Sequence, residues 1–475
     1  MSNLLWTSKR LRMEDPSAVG LVQLALPLLI ESLLRCTVGM VNVAFLSRIS
    51  DSVVGAVSVS NQYITICQTL ATAVAAGTIV CINQAIGMKN REKIDRFATI
   101  ACAANLILGI VFGLLFFFLS GGFLRIMKLE DASIVSAKTY LRISGSMMTV
   151  QCVEIVLSNI CRSIGHTKAP LCINLLVNTI NLFGCYAVIF HRLPVSIDPV
   201  AGVAWVSVFS RFGGMILAGL IVMRSGVRIS LRKLKPFPRK EFLLALSIGI
   251  PGGLNNLAYS LSQLVTTSII SLSGEIMVTT KVYVNNLVQY IALVGMAFAQ
   301  ASTIMVGYRV GAGNFEEASA IRALVTHIAL VSNAFCSVML ILLREPLLRM
   351  FTHQPEILQI GSALIVIDFV VEIGRALNNT LSGALQATGD VRFQLVVNQV
   401  SGWLIAVGGT YFLGIVLGWR LYGVWIAFAL DELTRGLILL IRWRSGRWIA
   451  GAEKRRIILL GGNSPERLNH KIVSR

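Results

Sequence analysis

The sequence predicts an all-α polytopic membrane protein, and three observations carry that prediction. Hydrophobic residues make up 55% of the chain and charged residues 14%, and the mean hydropathy is +0.73. The apolar residues form long blocks, such as residues 106–123 and 203–223, instead of the short patches of a soluble domain. Such blocks approach or reach the roughly 20 residues that a helix needs to cross a bilayer. Because a helix satisfies its own backbone hydrogen bonds, we expect helical spans.

Twelve apolar segments are predicted to span the membrane. The first is too long for the apolar core of a signal peptide, and no small-residue cleavage site follows it, so we expect it to be retained. The twelve predicted spans cover residues 18–47, 53–84, 97–120, 134–157, 171–191, 200–223, 241–272, 277–308, 323–344, 358–383, 393–418 and 421–442.

Basic residues are concentrated in the loops after even-numbered spans. The loop at residues 224–240 is the most basic, and the chain after residue 442 is also rich in Lys and Arg. Positive charge in short loops marks the cytoplasmic side, so both termini are predicted to be cytoplasmic. This topology accounts for most of the excess of 42 Lys and Arg over 23 Asp and Glu, and we expect no nucleic-acid partner.

Motifs of soluble catalysis are missing from the sequence. It contains no CxxC pair, HExxH, phosphate-binding glycine loop with a following Lys, or GxSxG, and most of its nine cysteines lie inside spans. We therefore expect no enzyme activity, no catalytic residues, no metal site and no cofactor other than a transported ion.

The two halves of the chain repeat each other. A shift of 224 residues superposes many identical residues without a gap, among them eight pairs at the starts of spans, in loops and at helix ends. The pairs are Pro27 and Pro251, Ser47 and Ser271, Asn61 and Asn285, Gly87 and Gly311, Asn90 and Asn314, Ser158 and Ser382, Gly165 and Gly389, and Asn174 and Asn398. Six spans is an even number, so the two six-helix repeats are parallel around a central cavity, an architecture suited to alternating access.

Five segments follow from the spans and the repeat. They are a cytoplasmic N-terminal segment (residues 1–17), an N-lobe (18–223), a basic cytoplasmic linker (224–240), a C-lobe (241–444) and a basic cytoplasmic tail (445–475).

Charged residues inside the tenth span form the main candidate site. The spacing of Asp368, Glu372, Arg375 and Asn379 puts them on one helix face, which we call the tenth-span stripe. This face should point into the bundle or a water-filled cavity, because charge in lipid is costly. The two acids share one guanidinium, so one carboxylate is in excess and either holds a proton or binds a cation. We predict ion coupling at Asp368 and Glu372, tuned by Arg375. The alternative is a structural Glu372–Arg375 ion pair with Asp368 near water.

A second polar stripe lies in the first span, where Glu31, Arg35 and Asn42 share a face. Glu31 and Arg35 are one turn apart and can neutralise each other, so they are the second candidates for ion coupling.

Three tyrosines in the second and eighth spans are candidates for the wall of a substrate cavity. Tyr63, Tyr283 and Tyr290 offer aromatic faces to a flat cation. The alternative is that they pack between helices.

Several stretches resemble the multidrug and toxic compound extrusion family. They are residues 24–50 and 248–274 at the openings of the two repeats, ASTIMVGYRVGAGN at 301–314 and LSGALQATGD at 381–390. The similarity runs from about residue 24 to residue 448. It implies an antiporter that exchanges a proton or sodium ion for an organic, often cationic and amphipathic, solute.

The sequence departs from the family pattern at three positions. Many members carry an acid in a Val-Asp-Thr stretch of the first helix, where this chain has Asn42. Some carry a Glu eight residues after the proline of the seventh helix, where this chain has Tyr259, and an acid of the tenth helix aligns with Arg375. The resemblance therefore places Asn42 and Tyr259 at the cavity, and the usual ion chemistry of the family is either absent here or carried by other acids, such as Asp368 and Glu372.

The predicted function is ion-coupled export of small organic compounds across a bacterial plasma membrane by a monomeric protein. A flippase for lipid-linked sugar precursors is the main alternative, which requires a strongly cationic cavity for pyrophosphate. A membrane scaffold without transport is a third possibility, and it has no use for inward-facing charges.

Overall fold

A computed structural model describes residues 18–46, 51–126, 131–190, 198–235 and 237–460. Within these ranges every regular element is helical, so the predicted fold class is confirmed. The first half contains α1 (Ala18–Leu46), α2 (Asp51–Gly87), α3 (Arg91–Ile126), α4 (Asp131–Ser146), α5 (Met148–Ser163), α6 (Lys168–Ile189) and α7 (Pro199–Arg224). The second half contains α8 (Arg239–Ser271), α9 (Glu275–Ala312), α10 (Phe315–Leu342), α11 (Arg344–Arg349), α12 (Pro355–Thr388), α13 (Val391–Ser401), α14 (Arg420–Arg444) and α15 (Arg447–Leu459).

Each of the twelve predicted spans coincides with a helical segment. Among the described residues, nine helices are long and apolar enough to cross a bilayer, or ten if α4 and α5, bent by 48°, form one span. α14 is not counted among them because it contains Asp431, Glu432 and Arg435, although its 25 residues are enough to cross a bilayer. The predicted N-terminal segment lies outside the described residues, as does the tail beyond residue 460, and α15 occupies the rest of that tail.

The chain forms two compact units. Unit 1 contains Ile30–Ile82 and Asn90–Gly253, whereas unit 2 contains Arg12–Leu29, Asn83–Lys89 and Leu254–Arg475, as far as these ranges are described. Each unit has its own apolar core. Phe116 and Leu141 are buried in the core of unit 1, and Leu364 is buried in that of unit 2.

Glycines allow helices to approach closely within each unit. A Cβ atom on Gly109 of α3 would lie 2.5 Å from Thr149 Cα in α5. A Cβ atom on Gly383 of α12 would lie 2.4 Å from the carbonyl oxygen of Ala299 in α9. Such close contact between backbones is typical of helix packing in membranes, where small residues form the interfaces.

The predicted eleventh span is not a regular α-helix. After α13 the backbone continues as two π-helical segments, Gly402–Val407 and Thr410–Val416. π-helical turns are rare and occur frequently at functional sites. Gly402 and Trp403 of the first segment line a cavity in unit 2.

Candidate functional site

A cavity of about 620 Å³ lies within unit 2. Its wall is formed by α8, α9, α12, α13 with the following π-helical segment, and α14. Ligand sites in proteins are typically cavities of about 300–1,000 Å³, so this one has the size of a small-molecule site.

The tenth-span stripe reaches this cavity. Asp368, Arg375 and Asn379 line the cavity, at the spacing that puts them on one face of α12. Tyr259 of α8 lines it as well. Glu372 has no exposed surface and lies behind the wall.

Glu372 is held by two side chains. Arg375 Nη1 forms an ion pair with Glu372 Oε1, and Asn333 of α10 donates its Nδ2–H to Glu372 Oε2 over 3.1 Å. Buried carboxylates are stable only when they are paired and hydrogen-bonded, and Glu372 meets both conditions. The structural ion pair that the sequence left open is therefore present.

The charged residues of α14 join the same cavity, because Asp431, Glu432 and Arg435 also line it. Arg435 Nη2 forms ion pairs with Asp431 Oδ2 and, over 3.2 Å, with Glu432 Oε1. Glu432 Oε1 also lies 3.7 Å from Arg375 Nε, which links α14 to α12. These three residues were not among the sequence-predicted candidates, although charge inside an apolar span was the same signal that identified α12.

Polar side chains complete the hydrogen bonding of the α14 acids. Ser401 donates to Asp431 Oδ1 over 2.5 Å, and Asn378 donates to Glu432 Oε2 over 2.8 Å. Hydrogen bonds to ionised groups are about twice as strong as neutral ones, so these contacts hold both carboxylates in place.

Asp368 differs from the other three carboxylates. Its Oδ1 atom accepts a hydrogen bond from the indole Nε1–H of Trp425 over 3.0 Å, and it forms no ion pair with any described residue. The cluster therefore brings four carboxylates together with two guanidiniums. Asp368 is the carboxylate that forms no ion pair with a described residue, although Arg375 is close enough to act on it electrostatically.

The first-span candidates lie in unit 1. Glu31 Oε1 forms an ion pair with Arg162 of α5 and accepts a hydrogen bond from Asn174 Nδ2 of α6 over 3.0 Å. The side chains of Arg35 and Asn42 fall outside the described residues, so the Glu31–Arg35 pair stays a prediction. Sequence reasoning did not identify Arg162 as a partner of Glu31, because the contact joins residues 131 positions apart.

The three candidate tyrosines occupy different surroundings. Tyr63 packs against the core of unit 1 and donates its hydroxyl to the carbonyl of Phe123 over 2.7 Å. Tyr283 stacks on Phe351 with ring centroids 5.3 Å apart. Tyr290 is 38% exposed. None of the three is among the residues that line the unit 2 cavity, so for Tyr63 and Tyr283 the contacts agree with the packing alternative.

No group of His, Cys, Asp or Glu among the described residues has the arrangement of a metal site.

A bundle of apolar helices with buried charges around a small-molecule cavity defines a membrane transporter. The chain matches the MatE family model over residues 27–187 and 251–412, more than half of its length, and it belongs to that family. The two matches begin 224 residues apart, which agrees with the internal repeat.

Two relatives illustrate the match along the whole chain. The "Uncharacterized transporter YisQ" of Bacillus subtilis is 32% identical over 450 residues, which cover 94% of this chain and 99% of that protein. The "Probable multidrug resistance protein NorM" of Thermotoga maritima is 28% identical over 446 residues, which cover 92% and 94%. The protein is thus a multi-pass transporter of the kind that exports compounds, not an enzyme.

Two solved structures show the same fold. An outward-facing multidrug resistance MATE family transporter of the MOP superfamily aligns with a TM-score of 0.83 over 94% of this chain and 98% of its own. A MOP superfamily transporter from Pyrococcus furiosus, described as having a binding pocket of reverse polarity, aligns with a TM-score of 0.81 over 91% and 96%. Both are 19% identical to this chain, so the likeness is one of fold.

Proposed function

We propose that the protein is an antiporter that couples the inward movement of a proton or sodium ion to the export of small organic solutes. The charged cluster of α12 and α14 is the ion site, and the observation that carries this proposal is the position of Asp368. This carboxylate lines the cavity without an ion-pair partner among the described residues.

Charge balance supports an ion at this cluster. Four carboxylates and two guanidiniums leave two negative charges in excess if every group is ionised. Desolvation of an unbalanced buried charge is costly, so the excess is offset by bound protons or a bound cation. Release of that ion then changes the charge of the cavity wall, and transport can be coupled to this change.

Asp368 is the first candidate for the ion carrier, and Glu372 is the second. Glu372 forms an ion pair with Arg375, whereas Asp368 accepts a hydrogen bond from the neutral indole of Trp425. Arg375 also lies near Glu432, so a charge change at α12 is transmitted to α14 through one guanidinium. Arg375 tunes the ion affinity of the neighbouring carboxylates and does not carry the ion, because its guanidinium stays protonated.

The cavity wall is compatible with neutral or cationic solutes. Three carboxylates and two guanidiniums belong to the wall, which gives it a small negative balance. A flippase for lipid-linked sugar precursors needs a surplus of cations to hold pyrophosphate. Because both guanidiniums are already paired with acids, the wall favours the exporter over the flippase.

Ion binding to the purified protein in detergent tests the proposal without a known substrate. We measure the radioactive sodium that the protein binds and, in parallel, the protons that it releases when sodium chloride is added. Proton uptake is followed separately after a pH jump. We expect one of the two ions to bind to the wild type. We expect Asp368→Asn to lose that binding, and Glu372→Gln to change its affinity.

Glu345→Gln is the matched control, because Glu345 forms an exposed i,i+4 pair with Arg349 outside the cavity. It should bind the ion like the wild type. Retention of full ion binding in both Asp368→Asn and Glu372→Gln would contradict the site, and a wild type that binds neither ion would contradict coupling itself.

A further inference from the structure

The cavity wall in unit 2 is unusually rich in side-chain amides. Of its 33 lining residues, 13 are Asn or Gln. Small-molecule sites are mostly lined by apolar and aromatic side chains with a few polar groups. Each amide offers one carbonyl acceptor and two N–H donors, so this wall presents many alternating donors and acceptors to a solute.

Several of these amides have no partner of their own. Among the described residues, the side chains of Asn285, Asn379 and Gln300 make no hydrogen bond, although all three line the cavity. Asn398 is 8% exposed, and its Oδ1 atom is buried without a hydrogen-bond partner. This oxygen has no surface open to the cavity, so the amides free to bind a solute are those of Asn285, Asn379 and Gln300.

The repeat relates part of this wall to an ion-paired cluster in unit 1. In unit 1, Glu31, Arg162 and Asn174 form a compact ion-paired cluster. The positions 224 residues later are Asn255, Gln386 and Asn398, and all three line the unit 2 cavity. One repeat therefore closes these positions with an internal ion pair, whereas the other opens them to a cavity as neutral amides.

Charge and aromatic faces contribute less to the wall. Both guanidiniums are occupied by carboxylates of the same cluster. Four of the lining residues are aromatic, against 13 amides. Trp425 is 1% exposed, whereas the more exposed Tyr259 and Trp403 can offer a ring face to a solute. A flat lipophilic cation would cover many amides without forming hydrogen bonds to them. Each buried polar group without a hydrogen-bond partner weakens binding by about 1–3 kcal/mol.

We infer that this cavity binds solutes rich in hydroxyl and amide groups, such as glycosides, rather than flat lipophilic cations. The inference rests on the proposed function, since it names the substrate class of the same exporter. A site built from hydrogen-bonding groups rejects analogues that lack the matching hydroxyls, because its own polar groups are then left unpaired.

Matched fluorescent probes test this inference. Binding to the purified protein is measured for three 4-methylumbelliferyl glycosides (the glucoside, the N-acetylglucosaminide and the cellobioside), for the aglycone 4-methylumbelliferone and for ethidium. The glycosides and the aglycone share one fluorophore, so they differ only in the sugar. We expect at least one glycoside to bind roughly tenfold or more tightly than the aglycone and ethidium, as several added hydrogen bonds would give.

Leucine substitutions locate the binding. Asn379→Leu and Asn285→Leu remove the amide at similar side-chain size, and each should weaken glycoside binding roughly threefold to tenfold. Neither should change the affinity for the aglycone. Gln359→Leu is the control, because Gln359 is an exposed amide of α12 that does not line the cavity.

The outcomes separate this inference from ion coupling, since binding is measured without an ion gradient. Glycoside binding that is lost in the cavity variants and kept in the control supports the substrate class, even if Asp368→Asn leaves ion binding unchanged. Equal binding of glycosides and aglycone, preference for ethidium, or no binding of any glycoside overturns it.

Discussion

Trp425 donates its indole N–H to Asp368 Oδ1 over 3.0 Å, with both side chains buried. The contact joins α14 to α12 across 57 positions of sequence. An indole has one N–H donor and no acceptor, so it favours the carboxylate of Asp368 without neutralising its charge. This hydrogen bond thus holds the carboxylate of Asp368 at the cavity wall without placing it in an ion pair.

Replacement of Trp425 by Phe should lower stability and change ion affinity. Without the indole donor the charged form of Asp368 is less favoured, so protons should bind more tightly and sodium ions less tightly. The ring volume is largely kept, whereas the donor to Asp368 is lost, and a hydrogen bond to a charged group contributes about 1.5–3 kcal/mol. Thermal unfolding in detergent and sodium or proton binding measure the two effects. Trp205→Phe is the control, because Trp205 is 41% exposed and outside the cavity. Ion binding unchanged in Trp425→Phe would show that the indole has no influence on Asp368.

Arg435→Gln should be among the most destabilising changes in unit 2. Arg435 pairs with both Asp431 and Glu432, so its loss leaves two buried carboxylates without their main cation. Removal of one partner from a buried ion pair costs about 3–5 kcal/mol. The measurement is the unfolding temperature in detergent. The double variant Asp431→Asn, Arg435→Gln should recover part of the loss, and no recovery would argue against the ion pair as its cause.

The spans could be predicted from hydrophobicity and the 224-residue repeat, and the tenth-span stripe from the helical spacing of its charged residues. All of these signals are local or periodic in the sequence. The partners of that stripe could not be predicted in this way. Asn333 and Glu432 reach the α12 charges from other helices, and their contacts depend on helix rotation and crossing. The π-helical break after Ser401 was missed for a related reason, since no proline marks it in the sequence.

Glu31→Gln should reduce stability but leave ion binding intact. Glu31 is the coupling candidate of the first span, yet it has a cationic partner in Arg162 and a donor in Asn174. Loss of its charge leaves Arg162 partly buried without a carboxylate, so the unfolding temperature should fall. The proton and sodium titrations of the wild type should be preserved. A loss of bound ion in this variant would move the coupling site to unit 1.

Gly87→Ala and Gly311→Ala should each destabilise the packing of α2 against α9 within unit 2. These glycines are related by the repeat, and a Cβ atom on Gly87 would lie 2.0 Å from the carbonyl oxygen of Tyr308. One on Gly311 would lie 2.1 Å from the carbonyl oxygen of Gln84. Backbone atoms cannot rotate away as side chains do, so the helices must separate, at a cost of about 1–3 kcal/mol or more.

Gly55→Ala in α2 is the control, because a Cβ atom there meets no atom within 4 Å. Alanine is a better helix former than glycine, so this variant should be as stable as the wild type or slightly more stable. Thermal unfolding of the three variants in the same detergent makes the comparison. If Gly87→Ala and Gly311→Ala unfold at the temperature of Gly55→Ala, the two backbones are not in close contact. A lower unfolding temperature for both would show that the close approach requires glycine in each repeat.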